Sequence, residues 1–393
     1  MNNNLFSDEH VCTHLGDEYD RFHGAVVPPI YQNSLFVFKN FDDLTEAMKD
    51  EQSNYLYWRG MNPTVEIVEK KIAALEKGEK CKLFSSGMAA ISSAILTFLQ
   101  AGDHVLSISN IYGPTTKFFT YIEKFGVAHT NTLSTDLDVI ESLIQPNTKV
   151  IYLESPTTMT FKLVNLKAVS TLAKQHGIKT IIDNTWATPL FQNPLTFGID
   201  IVVHSVSKYL GGHSDLVGGA LITSNEIMDH LFYHEYQLLG GVMPPYEAWL
   251  LMRGLRTLPI RMRAHHESGL KIASFLEDHS SVKKVHYPGL KSSPDYELGK
   301  QQLKGYSGLM SFELANNSFD SVRKVINSLK QFQIGVSWGG FESLVISPNY
   351  GNNTEHLINS GIDPGLIRIS VGLENSDELM EDLSTALQQK LTV

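Results

Sequence analysis

Cysteine is almost absent from this chain: Cys12 and Cys81 are the only two in 393 residues. So few cannot supply a disulfide framework at this length, so stability must come from a packed core, and a reducing, cytoplasmic setting is expected. No stretch reaches the roughly 18 apolar residues of a membrane-spanning helix. The segment Met1–His10 is polar and acidic, without the apolar centre of an export signal. The expectation is therefore a protein that is neither exported nor anchored. Basic runs are missing too. The 32 Lys and Arg are scattered among 42 Asp and Glu, for a formal charge of -10, which argues against nucleic acid or an anionic membrane as partner and for a small molecule. There is no internal repeat or low-complexity tract. No Gly-x-Gly-x-x-Gly follows a strand near the start, which sets aside a dinucleotide-binding oxidoreductase. His10, His14 and the pair His265-His266 match no metal-ligand spacing, so no metal site is expected.

What is present is an ordinary globular composition, 42% hydrophobic and 19% charged, sufficient for a large core divided into two or three lobes. Residues 1–60 lack sustained periodicity and mix aromatics with polar residues (Tyr31, Phe36, Phe38, Tyr55, Tyr57, Trp58), which reads as an arm packed on a neighbouring subunit. Helical spacing begins with Val65, Ile67, Val68, Ile72 and Leu75, and a second helix is expected over 87–99. Short β-rich runs then alternate with helical stretches at His104–Ser109, Lys149–Glu154, Lys179–Asp183, Ile199–His204 and Gly219–Thr223. This alternation predicts an α/β fold with a mostly parallel central sheet, over a domain spanning 61–258. A break near Arg253–Pro259 precedes a smaller C-terminal α+β domain, 259–393, with helices near 265–278 and 318–330 and strands near 306–314 and 366–371.

Ligands of parallel sheets sit at the carboxyl ends of the strands. There the sequence places Tyr112, Glu154, Asp183 and, shortly after the fourth run, Lys208. A lone lysine is most often a solvated surface charge. Lys208, however, lies between hydroxyls and a glycine pair in Ser205-Val206-Ser207-Lys208-Tyr209-Leu210-Gly211-Gly212, and Asp183 closes a buried run where a carboxylate needs a cationic partner. A protonated pyridine nitrogen is such a partner, so a lysine for the aldehyde and an aspartate for the nitrogen make a functional pair. Ser85-Ser86-Gly87-Met88-Ala89-Ala90 opens a helix with small residues and offers N–H groups to an anion such as a phosphate.

Taken in order, Tyr57-Trp58-Arg59-Gly60-Met61-Asn62-Pro63-Thr64, Ser86-Gly87-Met88, Glu154-Ser155-Pro156-Thr157, Asp183-Asn184-Thr185, the Lys208 run, Arg253-Gly254-Leu255-Arg256 and Leu366-Ile367-Arg368-Ile369-Ser370 resemble the Cys/Met-metabolism family of pyridoxal-phosphate enzymes. The resemblance covers nearly the whole chain. It implies a fold-type I aminotransferase-like architecture, pyridoxal 5'-phosphate held covalently by Lys208, and a small sulfur-containing amino acid as substrate. It implies further that Ser86, Gly87, Met88, Ser205 and Ser207 hold the phosphate, that Asp183 meets the ring nitrogen, and that Tyr112 stacks on the ring and attends proton transfers. Tyr57 and Arg59 would reach in from a neighbouring subunit of a homo-oligomer, a tetramer built from dimers that share sites, and Arg368 would clamp the substrate carboxylate. Ser337, Trp338, Tyr57 and Tyr112 complete the expected substrate contacts.

Within the family, Thr158-Met159-Thr160 after the Glu154 motif, Ser337-Trp338-Gly339-Gly340-Phe341-Glu342 and Asp183-Asn184-Thr185-Trp186-Ala187 resemble the bacterial cystathionine beta-lyases. Asn62-Pro63-Thr64 and Pro245-Tyr246-Glu247-Ala248-Trp249 look more like γ-acting members. Pro114 stands where methionine gamma-lyases commonly carry a cysteine. The expectation is β-elimination of L-cystathionine, with γ-elimination or γ-replacement, of the cystathionine gamma-lyase, gamma-synthase or O-acetylhomoserine sulfhydrylase type, as the alternative. The lysine assignment makes a direct prediction: after borohydride reduction, wild-type protein carries the cofactor's added mass and Lys208→Ala does not. Covalent label on the variant would remove the assignment.

Overall fold

The computed structural model describes residues 6–388, and none of their helices is long and apolar enough to cross a membrane. Its larger sheet has seven strands: β1 (Lys80–Phe84), β2 (His104–Ile108), β3 (Ala128–Thr132), β4 (Thr148–Glu154), β5 (Lys179–Asp183), β6 (Ile201–Ser205) and β7 (Gly219–Thr223). Their order is β1-β7-β6-β5-β4-β2-β3, all parallel except β7, which opposes both of its neighbours. The central strands are apolar on both faces: Val150–Leu153, Ile181, Ile182 and Ile201–Val203 are buried because helices cover the sheet on either side. The expected α/β architecture with a mostly parallel sheet is present.

Two strands of this sheet escape the sequence pattern for physical reasons. β3 is an edge strand of mainly polar residues, Ala128-His129-Thr130-Asn131-Thr132, and shows no apolar alternation. β1 reads Lys80-Cys81-Lys82-Leu83-Phe84, and its second lysine is buried through an ion pair with Glu69 rather than exposed.

Helix starts carry their own signals. Asn62 caps the helix Pro63–Glu76 by accepting from Thr64 N, with Pro63 in the first turn, and Lys77 ends it at φ 60°. Ser86 caps Gly87–Leu96 by accepting from Ala89 N. After the helices Pro245–Arg256 and Leu258–Glu277, which meet at Thr257, a second sheet follows: β8 (Val282–His286), β9 (Leu309–Leu314), β10 (Gln333–Ile334), β11 (Leu344–Ile346) and β12 (Leu366–Ser370). Its order is β10-β11-β12-β9-β8, antiparallel apart from β10-β11. Leu258–Glu277, Phe319–Ser328 and Ser376–Leu387 supply buried side chains to its core, among them Ile272, Val322 and Leu383.

The N-terminal segment divides in two. Helix Asp8–His14 buries Val11 and Cys12 in the chain's own core, and Phe22 joins them. Asp17 pairs with fully buried Lys71 at 3.2 Å and with Arg256 at 3.1 Å. Further along, Val26, Leu35, Val37 and Phe41 are exposed.

One contact fixes the lysine loop. A Cβ on Gly254 would lie 2.3 Å from Gly211 O and 2.7 Å from Leu210 O, so helix Pro245–Arg256 rests its backbone directly on the chain just past Lys208. Gly254→Ala is therefore expected to destabilise by about 1–3 kcal/mol and to speed loss of cofactor. Thermal unfolding and dialysis measure the two effects, and an unchanged variant would mean the contact relaxes freely.

Candidate active site

The side chains singled out from sequence converge at the carboxyl ends of β4, β5 and β6. Asp183, the last residue of β5, lies in register with Glu154 on β4 and Val203 on β6. Both hydrogen bonds to its carboxylate fall on Oδ1, from Thr185 N at 2.9 Å and Thr185 Oγ1 at 2.5 Å. Thr185 Oγ1 in turn accepts from Ser205 N at 2.8 Å, so one threonine ties the carboxylate to the loop that carries the lysine.

Glu154 is buried beside Asp183, and two carboxylates this close cannot both ionise easily. Burial, then the negative charge of Asp183, pushes Glu154 up to about 8. Burial also raises Asp183, opposed by the Thr185 hydrogen bonds and by the charges of His204 and Lys208. The proton of the pair is thus favoured on Glu154, while the Thr185 hydrogen bonds favour the charged form of Asp183. Glu154 Oε1 also accepts from Tyr112 N at 2.5 Å, fixing the start of helix Gly113–Ile122 and with it the half-exposed Tyr112 ring. Burial, Asp183 and Glu154 raise the Tyr112 hydroxyl, against Arg368.

Lys208 Nζ donates to Ser337 Oγ at 2.7 Å and lies 5.4 Å from the centre of the Trp338 ring. Trp338 packs on Tyr209, and a Cβ on Gly339, at φ 81°, would stand 2.9 Å from Tyr209 N, so the 337–340 loop of the second sheet is pressed onto the lysine loop. Burial and Arg368 lower Lys208 to about 8, against Asp183. Arg368, on β12, donates from Nη2 to Val336 O at 2.8 Å and Ser337 O at 3.3 Å. Burial lowers it to about 10, so it stays cationic at neutral pH.

On the other flank, a Cβ on Gly87 would come within 3.0 Å of Ser205 Cβ and 3.1 Å of its Oγ. The helix start at Ser86-Gly87-Met88 thus faces Ser205, leaving a cradle that a larger side chain would fill. Ser207 Oγ accepts from Gly218 N at 3.0 Å, and Met88 Sδ accepts from Thr115 Oγ1 at 3.9 Å. These groups fit pyridoxal phosphate: helix N–H groups and serine hydroxyls for the phosphate, Asp183 Oδ2 for a protonated ring nitrogen, and a half-buried amine for the aldehyde.

Two expected residues stand outside this assembly. Arg59 Nε donates to Gln237 Oε1 at 3.2 Å, and its guanidinium lies 5.4 Å from the half-exposed Tyr57 ring. Thr185 is a member that sequence reasoning did not place in the site, and Glu154 was placed at its strand end without a role. Glu154 was visible as a strand end and Thr185 as part of the Asp183 motif, but their roles depend on pairing across strands.

Fold and site together define a pyridoxal-phosphate enzyme of fold type I. Residues 9–388 match the family described as Cys/Met metabolism PLP-dependent enzyme, and the chain belongs to that family. It is 40% identical to the cystathionine gamma-lyase of Bacillus subtilis over 380 residues, 95% of this chain and 97% of that one. It is 39% identical to the L-methionine gamma-lyase of Fusobacterium nucleatum subsp. nucleatum over 374 residues, 93% and 94% of the two chains. With the cystathionine beta-lyase of Lactococcus lactis subsp. cremoris it shares 37% over 382 residues, 96% and 98%. The crystal structure of metB from Corynebacterium glutamicum superposes with a TM-score of 0.91 at 32% identity, covering 98% of this chain and 99% of the other.

The shifted lysine sets a pH dependence. Only the neutral amine attacks an aldehyde, so the rate at which apoprotein captures pyridoxal phosphate should rise nearly tenfold per unit of pH below about 8 and level off above it. Removing the Arg368 charge (Arg368→Leu) lets Lys208 hold its proton longer, moving the midpoint upward. Stopped-flow absorbance reads both, and a midpoint near the ordinary lysine value would contradict the assigned environment.

Proposed function

We propose that this enzyme, a pyridoxal-phosphate-dependent lyase of sulfur amino acids by family, carries out β-elimination on L-cystathionine, releasing homocysteine, pyruvate and ammonia in the cytoplasm. Bound pyridoxal phosphate supplies a store for the electron pair freed when the substrate Cα–H bond breaks. Arg368 meets the substrate carboxylate with its planar fork and fixes which bond at Cα faces the lysine. Lys208 would hold the cofactor and, once free, take the Cα proton, and its lowered proton affinity matches that task near neutrality. Asp183 would meet the ring nitrogen and keep it protonated, and Tyr112, fixed through Glu154, would lie against the ring. The thiolate leaves from Cβ, and the three-carbon enamine hydrolyses to pyruvate and ammonia.

What supports β over γ chemistry is the likeness of Thr158-Met159-Thr160 and Ser337-Trp338-Gly339-Gly340 to the bacterial cystathionine beta-lyases, with Ser337 and Trp338 lying against Lys208. A γ route needs a second transfer at Cβ and a base free to shift. The γ reading has its own support in the 40% and 39% identity to two γ-lyases.

The same proposal includes a homo-oligomer, a tetramer of dimers, in which Tyr57 and Arg59 serve the neighbouring subunit's phosphate and substrate. What supports it is their placement beside Gln237 rather than Lys208, on a face where Leu35, Val37, Leu238 and Leu239 are exposed.

Incubating holoenzyme with L-cystathionine and identifying the products tests the reaction: pyruvate with homocysteine is expected, whereas 2-oxobutyrate with cysteine would replace the proposal by γ-elimination. Arg368→Lys should raise KM for the same substrate by about 10- to 100-fold through loss of the bidentate, charge-assisted pair.

A further inference from the structure

Lys82 is a buried charge without a part in the chemistry above. It lies on β1 with its ammonium 3.1 Å from Glu69 Oε2, and both side chains are almost wholly enclosed. Glu69 Oε1 accepts from Leu83 N at 3.1 Å. A buried ion pair is seldom the most stable way to fill such a space, since an apolar pair avoids the desolvation cost. Its other contacts indicate what the charge achieves. Lys82 Nζ reaches Gly60 O at 3.5 Å and Met61 Sδ at 3.0 Å, the two residues that follow Arg59. It also lies 5.2 Å and 5.3 Å from the ring centres of Phe232 and Tyr236, within a short π-helical turn, Phe232–Tyr236.

That turn grips the same loop. A Cβ on Gly60 would be 3.3 Å from Gln237 Nε2 and 3.5 Å from Phe232, while Gln237 accepts from Arg59 and donates to Glu51 Oε2 at 2.7 Å. The loop at Arg59 is thus held from below by Lys82 and from the side by Gln237, with Tyr57 left half exposed.

We propose that Lys82 is a positioning residue that presents Arg59 to the phosphate of the neighbouring subunit's cofactor. The inference rests on the reading that Arg59 acts across a subunit boundary. It assigns Lys82 an effect felt in the other subunit's site and not in its own.

Lys82→Met alone would strand the Glu69 charge, so the variant to test is Lys82→Met with Glu69→Gln, which keeps an acceptor for Leu83 N and sets a thioether between the two rings. The homo-oligomer of this double variant should bind pyridoxal phosphate about tenfold more weakly, from loss of the charge-assisted loop contact. Hybrids with Lys208→Ala subunits, purified by two tags, locate the defect, because absorbance of lysine-bound cofactor then arises only in the subunit that retains Lys208. In a hybrid of the double variant with Lys208→Ala, the retained lysine site receives its Arg59 loop from an intact Lys82 subunit, and wild-type cofactor affinity is expected. An Arg59→Ala hybrid with Lys208→Ala is the control and should behave likewise. If the control recovers while the double-variant hybrid stays weak, Lys82 acts within its own subunit and the proposal fails. If the control itself does not recover, the shared-site reading fails and takes this inference with it. Unchanged affinity in the double-variant homo-oligomer would also overturn the proposal.

Discussion

A carboxylate at the base of a covered cleft needs a cation, and this requirement on Asp183 organises the site. The parallel sheet brings β4 and β5 side by side and ends both on carboxyl groups, so Glu154 and Asp183 compete for one proton. Thr185 favours the charged form of Asp183 by giving it both of its donors. Glu154, left as the neutral partner, serves as acceptor for Tyr112 N. Burial and the charge of Arg368, on β12 of the second sheet, lower the proton affinity of Lys208 in the loop after β6, and Asp183 opposes them. The outcome is a strip of alternating charge in which an anionic phosphate, a cationic ring and an anionic substrate carboxylate each find a complement.

The two sheets are fastened at that strip by backbone contacts and not by side chains alone. Gly254 from one helix and Gly339 from the 337–340 loop both approach the chain around Lys208 to a distance that no Cβ would permit. The second sheet therefore contributes Ser337, Trp338 and Arg368 to a site whose cofactor groups lie on the first. A glycine in either place is a packing requirement of the lysine loop.

Family membership extends over residues 9–388, while relatives of nearly equal identity are named for three different activities. The physical reason is that the shared work, capture of the cofactor, removal of the Cα proton and clamping of a carboxylate, uses the same atoms in every case. The branches differ in where the leaving group sits and in whether the base serves one carbon or two, differences that lie in the pocket and not in the shared machinery.

The amino-acid sequence by itself determined the parallel α/β core, because apolar runs of β-branched residues alternating with capped helices have few other ways to bury themselves. It also marked Lys208, Asp183 and Arg368, whose charge in otherwise apolar or loop surroundings demands partners. It left β3 and β1 unseen, since an edge strand needs no apolar face and Lys82 is buried only by virtue of Glu69. Tertiary structure alone decided what Glu154 and Thr185 do in the site, because their roles are set by neighbours on other strands or in the lysine loop. It also decided that residues 8–22 pack on the chain's own core while Tyr57 and Arg59 stand apart from Lys208: periodicity in a sequence records which face is covered, and not by what.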